Sequence, residues 1–170
     1  MAGTFTADAV YGVSVTATDK IVLFGTKAAA GTGRTDSDYV ILSLSARGIV
    51  DFGFGTNGQA VADVNRSVDT ARQILVQADG KIVATGYSRD GDGVVSPVVF
   101  RVHADGSPDA DFGTNGVANA KVLTDIGGPA DSWYRIGLTP DKKHAIVVGY
   151  KGTDATAGGN DDAAVARVII

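Results

Sequence analysis

Cysteine is absent from this 170-residue chain, and histidine nearly so, with only His103 and His144. The first absence excludes disulfide scaffolds, thiolate metal sites and a cysteine nucleophile. The second leaves little material for zinc or for His-based catalysis. No apolar run approaches the roughly 20 residues that a membrane helix needs. The opening Met1-Ala2-Gly3-Thr4-Phe5 lacks the charged and apolar regions of a signal peptide. Positive charge is in short supply too: 15 Lys and Arg against 19 Asp and Glu leave a net charge of −4. With a pI near 4.9, the chain is a poor platform for nucleic acid. Glycine, by contrast, is abundant at 23 residues, about twice the usual roughly 7%. Without a collagen-like triplet period, so much glycine means many tight turns. The 44% of hydrophobic residues is enough to bury one domain's core.

Internal repetition is the main signal. Phe54-Gly55-Thr56-Asn57-Gly58 returns unchanged as Phe112-Gly113-Thr114-Asn115-Gly116, 58 residues on. Ala46-Arg47-Gly48 matches Ala104-Asp105-Gly106 at the same offset. A second marker occurs three times, ending at Gly25, Gly86 and Gly149: Lys20-Ile21-Val22, Lys81-Ile82-Val83 and Lys143-His144-Ala145 open the three copies. The unit is therefore about sixty residues long, and the chain divides into approximate units 1–58, 59–116 and 117–170 of a single repeat domain. In the middle unit, a strand over 71–77 leads through Ala78-Asp79-Gly80 into a returning strand over 81–87. Asp-Gly predicts a two-residue hairpin with positive φ at both central positions. A loop over 88–96, a third strand over 97–104 and a fourth over 117–122 complete the unit. No window of 11 residues or more sustains a helical period. The expectation is all-β: three four-stranded antiparallel blades of a β-propeller. A β-sandwich is the rival, but it does not require the same turns at fixed spacing.

The residues from Gln77-Ala78-Asp79-Gly80-Lys81-Ile82-Val83 through Phe100-Arg101-Val102-His103-Ala104-Asp105-Gly106-Ser107-Pro108-Asp109 to Phe112-Gly113-Thr114-Asn115-Gly116 resemble the delta-sixty repeat, a bacterial family of propeller-forming repeats. The first unit keeps Lys20-Ile21-Val22 and the turn from Asp51 to Gly58, while the third is more divergent. The resemblance implies tandem repeats in a larger, often exported or surface protein, hence an extracellular or cell-surface location. It implies no reaction. By register, the chain opens with the last strand of one blade, around Gly3 to Ala9, and ends after the third strand of another, 163–170. Two copies could then close a six-bladed homodimer from two half-propellers; the other reading is a piece of a longer propeller.

Chemistry-bearing motifs are few. The nearest approach to a nucleophile elbow, Gly86-Tyr87-Ser88-Arg89-Asp90, lacks its final glycine and a following helix. The Gly-rich stretches at Gly31 and Gly158 lack a P-loop lysine. No cofactor is expected except, as the one open option, calcium, which takes oxygen ligands from Asp and Asn in Gly-permitted loops. Its candidate ligands are Asp90, Asp92, Asp109, Asp111 and Asn115; turn-capping is the competing role for each. If the strand before each hairpin is innermost, Tyr11, Arg72 and Tyr134 occupy equivalent positions, with a one-residue gap in the first unit. Gln73 and Arg135 are their neighbours, and Asp69, Asp131 and Trp133 lie just upstream. These eight are the ligand-binding candidates, because aromatics and arginine anchor ligands and partners; Trp133 is as well suited to core packing between blades. The leading functional expectation is a non-enzymatic repeat module for ligand or protein binding or assembly, forming a homodimer with no nucleic acid and no membrane span. A hydrolase acting on an ester or lactone with calcium assistance, and a glycan-binding module, are the alternatives.

Overall fold

A computed structural model describes residues 8–64, 66–112, 120–122, 132–151 and 162–170. Eleven strands are seen among them: β1 (Ala9–Val15), β2 (Ile21–Ala28), β3 (Ser37–Leu44), β4 (Gln59–Ala62), β5 (Val68–Val76), β6 (Ile82–Arg89), β7 (Val95–Val102), β8 (Ala120–Val122), β9 (Ser132–Leu138), β10 (His144–Lys151) and β11 (Asp162–Ile169). They form three antiparallel meanders, β1-β2-β3-β4, β5-β6-β7-β8 and β9-β10-β11. The expected all-β architecture is thus present, with four strands in the first two sheets and three in the third among the described residues. No closed ring is formed there. The expected opening strand around Gly3 lies outside the described residues; Ala9 already belongs to β1. No helix among the described residues is long and apolar enough to cross a membrane.

The hairpins follow one plan that differs from the expected two-residue turn. In the middle sheet, Gly80 N–H donates to Gln77 O at 3.0 Å and Gln77 N–H donates to Lys81 O at 2.8 Å. Only Gly80 takes positive φ, +87°, so the loop is a type I turn closed by one left-handed residue. The same pair of bonds joins Thr16 to Lys20, with Asp19 in the left-handed place at φ 59°. In the third sheet the loop from Thr139 to His144 is one residue longer, with Lys142 at φ 57°. The one-residue gap therefore falls in the third unit and not the first.

Two cores lie between successive sheets. Val22, Phe24, Tyr39 and Ile41 of the first sheet meet Ile74, Ala84, Val98 and Phe100 of the second. The rings of Phe24, Tyr39 and Phe100 pack together, with Tyr39 and Phe100 centroids 5.1 Å apart. Val83 and Val99, on the other face of the second sheet, meet Trp133, Ile136, Val147 and Val168 of the third. Alternation along each strand makes this possible, because neighbouring residues serve opposite faces. The rims interlock too. Gly55 N–H donates to Asp105 O at 2.7 Å, so the repeated Phe-Gly turn of sheet one docks on the Asp-Gly turn of sheet two.

Candidate functional site

The first strands β1, β5 and β9 lie side by side, with β5 packed against both others. Each carries a bulge at the same place. Val10 faces Gly25 and Gly12 faces Phe24, leaving Tyr11 as the extra residue. In the middle sheet Ala71 faces Gly86 and Gln73 faces Thr85, leaving Arg72. In the third, Trp133 faces Gly149 and Arg135 faces Val148, leaving Tyr134. The repeated glycine is what admits the bulge. A Cβ on Gly25 would meet Ala9 O at 1.9 Å, on Gly86 Thr70 O at 2.2 Å and on Gly149 Ser132 O at 1.8 Å. A bulge re-aims the side chain of its extra residue, so one backbone device presents Tyr11, Arg72 and Tyr134 from three successive sheets.

Around Arg72 aromatic side chains converge, Tyr134 of the bulges among them. The Arg72 Cζ lies 4.5 Å from the centroid of the Tyr134 ring and 5.1 Å from that of Tyr87, placing one guanidinium against two aromatic faces. Tyr150 extends the group, its ring 5.5 Å from Tyr134. Burial raises the Tyr134 hydroxyl above its ordinary pKa, and Tyr150 adds to the rise, so the ring stays neutral over the physiological range. Arg72 Nε is buried without a hydrogen-bond partner. Tyr87 and Tyr150 join the group around Arg72, and sequence reasoning missed them. Their signal was available: each directly follows the repeated glycine.

The remaining predicted positions separate into frame and rim. Gln73 Oε1 accepts from Ile136 N–H at 3.0 Å and ties β5 to β9. Trp133 is 1% exposed within the second core, its Nε1 unpartnered. Arg135 is exposed and donates from Nη1 to Tyr134 O at 2.9 Å. Tyr11 is 52% exposed. Asp69 is buried and accepts from Ser88 Oγ at 2.6 Å, Ser67 Oγ at 3.2 Å and Val64 N–H at 3.2 Å. Its burial outweighs these bonds and pushes the carboxyl up to about 7. Asp131 lies outside the described residues.

Among the described residues, Asp90 and Asp92 do not join Asp109 and Asp111 in one cluster. Asp90 Oδ1 caps its own loop, accepting from Asp92 N–H at 3.0 Å and Val94 N–H at 2.9 Å. Asp109, fully buried, pairs with Arg101 at 2.6 Å and Lys81 at 3.1 Å. Its burial opposes ionisation, but the two cations prevail and hold its carboxyl below the ordinary value. Asp111 donates its N–H to Asp109 Oδ1 at 3.2 Å, and Asn115 lies outside the described residues. The carboxylates that do converge are Asp36, Asp38 and Asp63, which sequence reasoning did not single out. Arg34 occupies their centre, paired with Asp36, with Asp38 at 2.9 Å and with Asp63 at 2.7 Å.

Residues 77–112, which run from the β5–β6 hairpin through the buried Asp109 to Phe112, match the family described as a domain of unknown function (DUF5122) beta-propeller. The middle sheet is thus similar to a propeller repeat. No curated protein matches the chain. The matched stretch holds Tyr87 but neither Arg72 nor Tyr134, so the match concerns the frame and leaves the displayed side chains to be read from geometry.

Proposed function

We propose that this chain is a non-enzymatic module of β-propeller type that binds a ligand or protein partner at the converging first strands and assembles through its outer sheets. One observation carries the reading: the same bulge in β1, β5 and β9 displays a large side chain from each sheet, tyrosine at 11 and 134 and arginine at 72. A constant backbone device with variable contents suits recognition. Large aromatics bring contact area at small entropic cost, and arginine brings directional donors. The buried carboxylates Asp69 and Asp109 are already taken up by bonds that hold the frame, which favours recognition over acid–base chemistry.

Isotope-labelled protein titrated with short peptides, oligosaccharides and activated esters tests the reading by NMR. Responsive signals are expected to cluster on Tyr11, Arg72 and Tyr134. Tyr134→Ala is expected to weaken binding about tenfold or more while the protein stays folded. Turnover of an ester or lactone that Arg72→Ala abolishes would overturn the non-enzymatic reading.

A further inference from the structure

We propose that the Tyr87–Arg72–Tyr134 clamp is a receptor for a carboxylate, carried either at the end of a peptide or on an acidic side chain. This inference rests on the reading of the first strands as a binding surface and names the chemistry that the surface takes.

Arg72 has a donor without an acceptor. A guanidinium carries five N–H donors in one plane. Among the described residues no carboxylate pairs with Arg72, and its buried Nε–H has no acceptor. Leaving such a donor unsatisfied is costly, so a buried orphan calls for an explanation. Asp69, three residues away in sequence, is no candidate, because Ser88, Ser67 and the Val64 amide hold it. In a chain of net charge −4, an arginine with no acid paired to it among the described residues, with exposed Arg135 on the next first strand, is a local exception that would attract anions.

The aromatic neighbours then select among anions. Tyr87 and Tyr134 lie against the guanidinium, with Cζ 5.1 and 4.5 Å from their centroids. What remains to a ligand is the edge, where the donors point. A carboxylate is flat and can lie in the guanidinium plane, accepting two parallel bonds. A phosphate can also offer two oxygens to that edge, but it is tetrahedral, and its remaining oxygens leave the plane and make it the bulkier guest between two rings. Arg72, Tyr87 and Tyr134 are each only partly buried; Nε is enclosed, and the terminal Nη edge of the guanidinium is the part left to a ligand.

The experiment follows the Arg72 Nε–Hε NMR signal of the whole chain against four probes. N-acetyl-alanine offers a terminal carboxylate and N-acetyl-aspartyl-N-methylamide a side-chain one. N-acetyl-alaninamide has none, and inorganic phosphate offers the wrong shape. Both carboxylates are expected to give a saturable shift with dissociation constants on the order of millimolar, and the tighter of the two identifies the natural source. The amide is expected to give no shift, and phosphate to bind about tenfold more weakly or worse. Arg72→Lys, which keeps the charge and loses the fork, is expected to weaken carboxylate binding about tenfold. Equal response to the amide, equal affinity for phosphate, or an unaffected Arg72→Lys protein would overturn the proposal. Probes that move Tyr11 and Tyr134 but never Arg72 would overturn it while leaving the binding surface standing. Silence of all first-strand signals to every ligand would overturn both.

Discussion

Asp69 is a carboxyl group placed where water does not reach, and its three hydrogen bonds do not compensate for that burial. With its folded pKa at about 7 against an ordinary 3.8, the folded chain holds a proton that the unfolded chain has released. Stability from this group is complete below the unfolded value, falls as pH rises between about 4 and 7, and is level above that. The ceiling on the loss is about 4 kcal/mol, from a shift of roughly three pH units at 1.36 kcal/mol each. Asp69→Asn removes the titration. The difference in unfolding free energy between wild type and Asp69→Asn, measured by urea melts at a series of pH values, is expected to move against the wild type through that window. A flat difference would mean that Asp69 stays ionised when folded. The position of Asp69 upstream of Arg72 was legible in the chain, but its burial was not, because Ser88, which closes over it, comes from the next strand. The bulges were legible only in part. Three glycines at matched places announce a backbone constraint, yet nothing in the letters says that the carbonyls of Ala9, Thr70 and Ser132 press on them.

At the scale of elements, the interlock of turns explains why the two rim motifs repeat together. The loops 45–49 and 103–107 share one pattern of bonds, and each puts its glycine in the left-handed region, Gly48 at φ 74° and Gly106 at φ 83°. Their surroundings differ. A Cβ on Gly106 would stand 2.8 Å from Gly55 N and 2.9 Å from the Phe54 ring, while one on Gly48 would meet nothing within 4 Å. Gly48→Ala is therefore expected to cost about 1 kcal/mol for conformation alone. Gly106→Ala is expected to cost about 2 kcal/mol more, because the Phe-Gly turn of the neighbouring sheet must move away and its bond to Asp105 weaken. Chemical denaturation of the two variants side by side measures the difference, and equal losses would show that turn docking contributes nothing. Phe-Gly-Thr-Asn-Gly could be read as a turn from its letters. Its partner could not, since periodicity counts units without saying which surfaces of adjacent units touch. The hairpins were misjudged for a local reason. Asp79 keeps ordinary φ and caps the loop, accepting from Lys81 N–H at 3.1 Å, so glycine alone supplies the left-handed residue.

At the scale of the whole molecule, the packing of sheet on sheet occurs twice and each time uses opposite faces of neighbouring meanders. The first sheet keeps Val13 and Val15 exposed on the face turned from the second, at 64% and 59%. On the third, Val148, Val165 and Ile169 are exposed, the last two at 68% and 77%. If the third sheet of one copy meets the first sheet of another as successive sheets meet within the chain, the contact is head-to-tail, and two such contacts close a ring of two chains. The sixty-residue period made three units legible and its register raised a two-chain closure as one reading, but it could not name the faces left over once the internal pairs have formed. Light scattering over a concentration series is expected to approach twice 17.3 kDa. Val13→Asp and Val165→Asp each place a charge on an already exposed position, so each is expected to hold the mass near 17.3 kDa and leave the folded monomer intact, because burying an unpaired carboxylate in the contact is costly and exposing one is not. A wild-type mass near 17.3 kDa at every concentration would rule out the two-chain ring and leave the outer sheets as surfaces for some other neighbour.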